Sequence, residues 1–202
     1  MLDTGGAAGG GRPASSRLLL AEALPQLPLA AESDRPLLAI DLGCRNGLDS
    51  LELMRRGWTV LAITDTPRTK RLLLAEVPHG QAEVPHGQSA RLTIEVGNSR
   101  ALVLPPADLI YSGATLSCRP SSAFGPVWSR IVPAVRPSGW FVGQFLGDRG
   151  PRSLNPDLTC LTRKKVITLL SGFRIELLRE RELSDDHSFD VIARRRPVRS
   201  AT

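Results

Sequence analysis

Asp41, Gly43, Arg45 and Gly47 fall within one short run, LLAIDLGCRNGLDS at residues 37–50, and their types and spacing are those of a ligand-binding turn. Gly43 and Gly47 let the backbone turn sharply and come close to a ligand. The apolar run before them reads as a β-strand, and the residues from Leu48 onward open a helix. Backbone N–H groups and a helix N-terminus then converge at the carboxyl edge of a sheet, an arrangement that binds nucleotides. By themselves the glycines are equally compatible with a simple tight turn. Arg45 departs from the pattern, because the middle of such a loop normally carries a small residue. Its guanidinium must point to solvent, pair with a ligand carboxylate, or fill ligand space. Cys44 has no general base near it in sequence and reads as a small buried filler.

The elements that must position this loop follow from periodicity. Leu19, Leu20, Ala23 and Leu24 recur at helical spacing, so structure is expected to start near Ser15. Residues 37–42 are apolar on both faces, as suits a central parallel strand. Leu48, Leu51, Met54 and Trp58 mark a helix that Gly57 stops. Strands are expected at 59–64, 92–96, 108–112 and 140–146, with helices at 68–76 and from Ser121 or Ser122 to Val135. Pro126 fits an early turn of that last helix, Pro133 should fray its end, and residues 136–139 should turn into the next strand. Thr162 caps a further helix, with Leu161 and Val166 as a hydrophobic staple and Gly172 at its end. Two closing strands, 174–179 and 188–193, have no helix between them and should pair antiparallel. The expected fold is α/β: a doubly wound, seven-stranded, mostly parallel sheet with an antiparallel C-terminal hairpin strand.

At 202 residues and 42% apolar, the chain has the size of one domain with a substantial core. Residues 1–14 are Gly/Ala/Pro-rich and read as a flexible leader, 15–196 as the domain, and 197–202 as a basic tail. The net charge of +6 comes partly from Arg194, Arg195, Arg196 and Arg199, expected to be a solvated chain end. Aromatics make up 4% and do not interleave with basic runs, so nucleic acid is not indicated as a partner. Cys44, Cys118 and Cys160 are odd in number and lack CxxC spacing, which argues against a disulfide framework and a metal site and for a reducing cytoplasm. No apolar run approaches membrane-span length and no export signal opens the chain, so no membrane partner is expected. The heptapeptide AEVPHGQ at 75–81 recurs unchanged at 82–88. Pro and Gly in each copy prevent a fixed separation between His79 and His86, so the repeat reads as a lengthened loop rather than a metal pair.

The run DLGCRNGLDSLELMRRGWTVLAITDTP, followed in order by ADLIYSGATLSC, VRPSGWFVGQFLGDR, LTRKKVITLLSGF and HSFDVIARR, resembles the small class I S-adenosylmethionine-dependent methyltransferases. It looks closest to their tellurite-resistance-type, small-molecule branch, and the resemblance covers about residues 16–196. The resemblance implies that Asp41, Gly43 and Gly47 border the methionine part of the cofactor. It also implies that an acid at the end of the second strand receives the ribose hydroxyls. Here LAITDT has Thr64 at that place and Asp65 one step later. Asn98 stands where an Asp commonly meets the adenine amino group, and its carbonyl can accept the same bond. Tyr111 and Ser112 would face the reacting centre, with Ser112 beside the cofactor.

Methyl transfer needs mainly alignment, since a sulfonium is a good leaving group. For a hydroxyl acceptor a base would help, and His187 and Asp148 are the candidates. His187 in a polar turn is also compatible with a merely solvated ring, and Asp148 with a loop turn or a pair with Arg149. The expected activity is S-adenosylmethionine-dependent methyl transfer to O, N or S of a small molecule, in specialised metabolism. The competing expectation is a related protein that has lost methyl transfer and acts as a ligand-binding module, or as a cyclase or isomerase using the old pocket. A nucleic-acid methyltransferase would need an acceptor motif such as NPPY, and LNPD at residues 154–157 lacks the aromatic.

Overall fold

The run that ends in Asp41 and Leu42 forms β1 (Leu38–Leu42), a central strand whose side chains are covered on both faces. A computed structural model describes residues 13–77, 91–97, 103–183 and 186–197. Both histidines of the repeat, the basic residue Arg199 and the candidate Asn98 lie outside those residues.

The first element among the described residues is α1 (Pro13–Ala23), slightly ahead of the start expected near Ser15. After β1 come α2 (Leu48–Arg55), β2 (Thr59–Thr64), α3 (Pro67–Glu76) and β3 (Leu92–Val96), each strand beside the last. The chain then crosses back to place β4 (Ala107–Ser112) on the other side of β1. There follow α4 (Ser121–Ala134), β5 (Val135–Gly147), β6 (Cys160–Leu161), α5 (Arg163–Leu169), β7 (Phe173–Leu183) and β8 (Asp186–Arg195). The sheet order is β3-β2-β1-β4-β5-β8-β7, with the short β6 paired to β5. Strands β1 to β6 pair in parallel, whereas β8 runs antiparallel to both β5 and β7. This is the expected doubly wound architecture with an added two-residue strand. The strand order reverses between β1 and β4, so the loops after these strands part at the carboxyl edge and leave a crevice there.

Two apolar layers hold the sheet. On one face Leu19, Leu20 and Ala23 of α1, Leu51, Leu53 and Met54 of α2 and Leu73 of α3 pack against Ala39, Leu109, Val142 and Ile192. On the other, Phe124, Val127, Trp128 and Ile131 of α4 and Val166 of α5 pack against Ile40, Ile110, Phe141, Phe145 and Phe189. Each buried Val, Leu, Ile, Met or Phe among them contributes about 1.5–3 kcal/mol by leaving water. Local signals set the ends: Thr66 Oγ1 accepts from Thr69 N at 3.3 Å to cap α3, and Thr162 Oγ1 accepts from Lys165 N at 3.1 Å to cap α5. At the amino edge, Asp108 accepts from Arg35 Nη1 at 2.8 Å and from Leu38 N at 3.0 Å, pinning β1 to β4.

Two expectations are corrected. Residues 136–139 are not a turn preceding a strand but a bulge within β5: Val135 pairs with Ala107, pairing resumes at Trp140 with Leu109, and Ser138 takes φ +63. The arginines after Ala193 are not a solvated tail from the start. Arg194 and Arg195 belong to β8; Arg194 Nε donates to Ser138 O at 3.1 Å with its guanidinium over Trp140, and Arg195 Nη1 donates to Pro133 O at 3.0 Å and to Val135 O. These bonds bind the end of α4 and the bulge, where Pro133 and Pro137 remove backbone donors.

Candidate functional site

The turn between β1 and α2 is built as its glycines suggested. Gly43 N and Cys44 N both donate to Ile63 O of β2, at 2.8 and 3.0 Å, so the turn leaves the sheet as an extension of the β1–β2 pairing. Gly43 (φ +78) and Gly47 (φ +73) take left-handed conformations, and Gly47 is the residue from which α2 starts. Packing also accounts for both glycines. A Cβ on Gly43 would collide with the Thr115 side chain, and one on Gly47 with Leu73. Arg45 is exposed, with φ +34, and has no ion-pair partner among the described residues. Its side chain faces solvent and does not fill the space of the turn.

Behind the turn lies an acidic pair. Asp41 is buried, and Ser50 Oγ donates to its Oδ2 at 2.6 Å. Burial pushes the Asp41 carboxyl up to about 7; the Ser50 bond opposes this, and the neighbouring Asp49 adds to it. Asp49, in the first turn of α2, accepts from the Tyr111 hydroxyl at 3.0 Å. Asp41 and Tyr111 are directly paired on β1 and β4, so the structure brings two predicted residues together and adds Asp49 and Ser50 to them. Cys44 is buried as expected, and desolvation followed by the Asp41 charge pushes its thiol up, which leaves it unreactive.

At the end of β2, Thr64 is buried and its Oγ1 accepts from Thr66 N at 3.2 Å, whereas Asp65 is exposed just beyond the strand. Gly97 N donates to Thr64 O at 2.9 Å, which carries the chain leaving β3 to this edge. Ser112 is fully buried at the end of β4, on the α4 face opposite Tyr111, and its Oγ lacks a partner among the described residues.

His187 and Asp148 meet each other but not Tyr111. The His187 ring packs edge-on to Phe189, on the α4–α5 face, while Tyr111 belongs to the layer under α1 and α2. His187 is 3% exposed, Nδ1 accepts from Arg149 N at 3.0 Å, and Nε2 lies 3.0 Å from Glu180 Oε1. Arg149 Nη2 also lies 3.0 Å from Nε2, so the second ring nitrogen faces both the guanidinium and the Glu180 carboxylate. Asp148 Oδ1 lies 3.7 Å from Nδ1, and its side chain is 44% exposed.

Sequence reasoning missed a second polar group on the α1 face. Asp190 of β8 is fully buried; Gln144 Nε2 of β5 donates to its Oδ1 at 2.9 Å and Arg181 Nε of β7 to its Oδ2. Arg179 extends the group to Glu22 of α1. A charge inside the apolar run SFDVIA and an amide inside WFVGQFL were the available signals. Among the described residues no cluster of His, Cys, Asp and Glu could hold a metal ion, and no helix is long and apolar enough to cross a membrane.

No family model and no curated protein matches the sequence. Solved structures do match. An S-adenosylmethionine-dependent methyltransferase from Mesorhizobium loti superposes with a TM-score of 0.66 at 19% identity, covering 87% of this chain and 96% of its own. The 1,6-didemethyltoxoflavin-N1-methyltransferase of Burkholderia thailandensis, solved with 1,6-didemethyltoxoflavin and S-adenosylhomocysteine, gives 0.64 at 20% identity over 91% of this chain and 79% of its own. TehB from Haemophilus influenzae gives 0.67 at 12% identity, covering 88% of this chain and 61% of its own. Likeness at these identities concerns architecture, and with the strand order and the β1–α2 turn it shows that the chain has the class I S-adenosylmethionine-dependent methyltransferase fold.

Proposed function

We propose that the chain moves the methyl group of S-adenosylmethionine to an oxygen, nitrogen or sulfur of a small molecule, as a step of specialised metabolism in the cytoplasm. The observation that carries this reading is the carboxylate pair Asp41 and Asp49, gathered behind the glycine turn at the point where the strand order reverses. Two acids there suit a ligand that carries an ammonium and a sulfonium, and a cation would draw the proton off Asp41. When bound, that cofactor supplies a methyl on a good leaving group, so alignment by the protein does most of the rest.

In this reading Asp41 and Asp49 hold the ammonium, and Gly43 and Gly47 allow the backbone close approach. Arg45, at the loop surface, pairs with the cofactor carboxylate. Asp65 takes the ribose hydroxyls in place of buried Thr64, Asn98 takes the adenine amino group, and Ser112 lies beside the methionine part. Tyr111 orients the acceptor from β4. Asp148 is the base for a hydroxyl acceptor, and His187, with both ring nitrogens engaged, positions the loop that carries it. Residues 15–196 form the catalytic domain, between a leader at 1–14 and a basic tail at 197–202. The neighbour of this fold solved with 1,6-didemethyltoxoflavin supports a small-molecule acceptor.

Calorimetric titration with S-adenosylmethionine tests the reading. Micromolar binding by the wild type is expected; absence of binding in both the wild type and Arg45→Gly overturns it. The second reading, a ligand-binding module or a cyclase or isomerase without methyl transfer, draws on buried Thr64 and on Thr115 filling the place beside Gly43. It prevails if only Arg45→Gly binds the cofactor.

A further inference from the structure

Arg45 is the bulkiest side chain of the glycine turn, but it faces solvent. The side chain that stands against Gly43 is Thr115: its Oγ1 and Cγ2 occupy the space that a side chain on Gly43 would take. Thr115 lies on a 3-10 turn, Ala114–Ser117, that follows β4. The far end of this turn is firmly anchored. Ser117 Oγ accepts from Leu146 N at 3.0 Å, Ser117 O accepts from Thr159 N at 2.9 Å, and Thr159 Oγ1 donates to Arg119 O at 2.7 Å. Its near end rests on the glycine turn through a long bond, from Thr115 Oγ1 to Gly43 O at 3.5 Å. A bond of that length contributes little, so rotating Thr115 away from Gly43 is inexpensive, while leaving it in place closes one side of the turn.

We propose that Thr115 is the residue that decides whether the amino-acid end of the cofactor can settle against Gly43, and thus sets the chain's preference between nucleosides with and without that end. The proposal rests on the S-adenosylmethionine reading above. Asp41 and Asp49 lie behind the same turn, so the ligand portion excluded by Thr115 is the one bearing the ammonium and carboxylate. Adenine and ribose, placed at Asp65 at the end of β2, are not affected.

Two probes separate these portions. S-Adenosylhomocysteine carries the amino-acid end, and 5′-methylthioadenosine has the same adenine, ribose and thioether without it. Calorimetric titration of wild type, Thr115→Ala and Thr115→Val with both compounds tests the proposal, with thermal melting to establish that each variant is folded. Thr115→Ala should bind S-adenosylhomocysteine about tenfold more tightly than wild type, while its affinity for 5′-methylthioadenosine stays unchanged. Thr115→Val keeps the volume and loses the long hydrogen bond, so it should bind as wild type or more weakly. Equal gains for both probes in Thr115→Ala would overturn the proposal, since they would mean a general loosening. Unchanged binding of S-adenosylhomocysteine in Thr115→Ala, with wild type still binding, would overturn it and leave the cofactor reading standing. If neither probe binds wild type, Thr115→Ala or Arg45→Gly, both fall together.

Discussion

Ser50 Oγ donates to Asp41 Oδ2 at 2.6 Å, so the first turn of α2 is fastened to the end of β1 by a bond to a buried carboxyl whose pKa is raised to about 7. Because the folded-state value lies above the unfolded one, the folded protein holds this proton more tightly. The associated stability is fully present below about pH 4 and is lost as pH rises through about 7. Asp41→Asn keeps an oxygen for Ser50 and removes the charge, so it should flatten this part of the stability profile and raise stability at pH 8 by about 2 kcal/mol. Urea denaturation at pH 5 and pH 8 checks this; equal losses at both pH values would contradict it. Cofactor affinity should fall in the same variant, most clearly at pH 8.

Arg45 holds a left-handed φ of +34 on an exposed side chain. Arg45→Gly removes the Cβ strain but gains unfolded-state freedom, so stability should stay within about 1 kcal/mol of wild type. Its affinity for S-adenosylmethionine should fall by no more than about threefold, because a solvent-exposed pair between the guanidinium and the cofactor carboxylate contributes little. Titration of both proteins reads this directly, and a gain of several hundredfold would show that Arg45 folds inward.

The His187 ring accepts the Arg149 amide and meets Glu180, and it covers Gly147, where a Cβ would collide with it. His187→Ala should destabilise the protein by about 2–4 kcal/mol through the lost packing and the orphaned Arg149 N–H. Any loss of methyl transfer should track loss of the loop's order, as read by hydrogen exchange at Arg149. Full stability with abolished activity would instead make His187 a direct proton carrier.

Asp190 is fully buried and balanced by Gln144 and Arg181. Asp190→Ala leaves the arginine without its counter-charge and should cost about 3–5 kcal/mol. Replacing both, as Asp190→Leu with Arg181→Met, should recover much of that loss. Chemical denaturation of the single and double variants measures the coupling.

The order of strands and helices was legible in the chain because apolar periodicity and capping residues act over a few neighbours: Thr162 with Leu161 and Val166 announced α5, and the apolar run before Gly43 announced a central strand. The bulge at Ser138 was not legible there, since Pro137, Ser138 and Gly139 have the composition of a turn and only β4 and Arg194 hold them in the sheet. The loop itself was found in the sequence through Asp41, Gly43 and Gly47. Which side chains stand around that loop was decided only by tertiary structure. Thr115 and Gly43 are 72 positions apart, and Asp190 and Gln144 are separated by 46. Local pattern carries backbone conformation, whereas burial, charge pairing and the filling of space arise from strands distant in sequence that the sheet brings together, parallel for β1 and β4 and antiparallel for β5 and β8. For that reason Arg45, conspicuous in the sequence, lies at the surface, and Thr115, outside any local motif, touches the glycine turn.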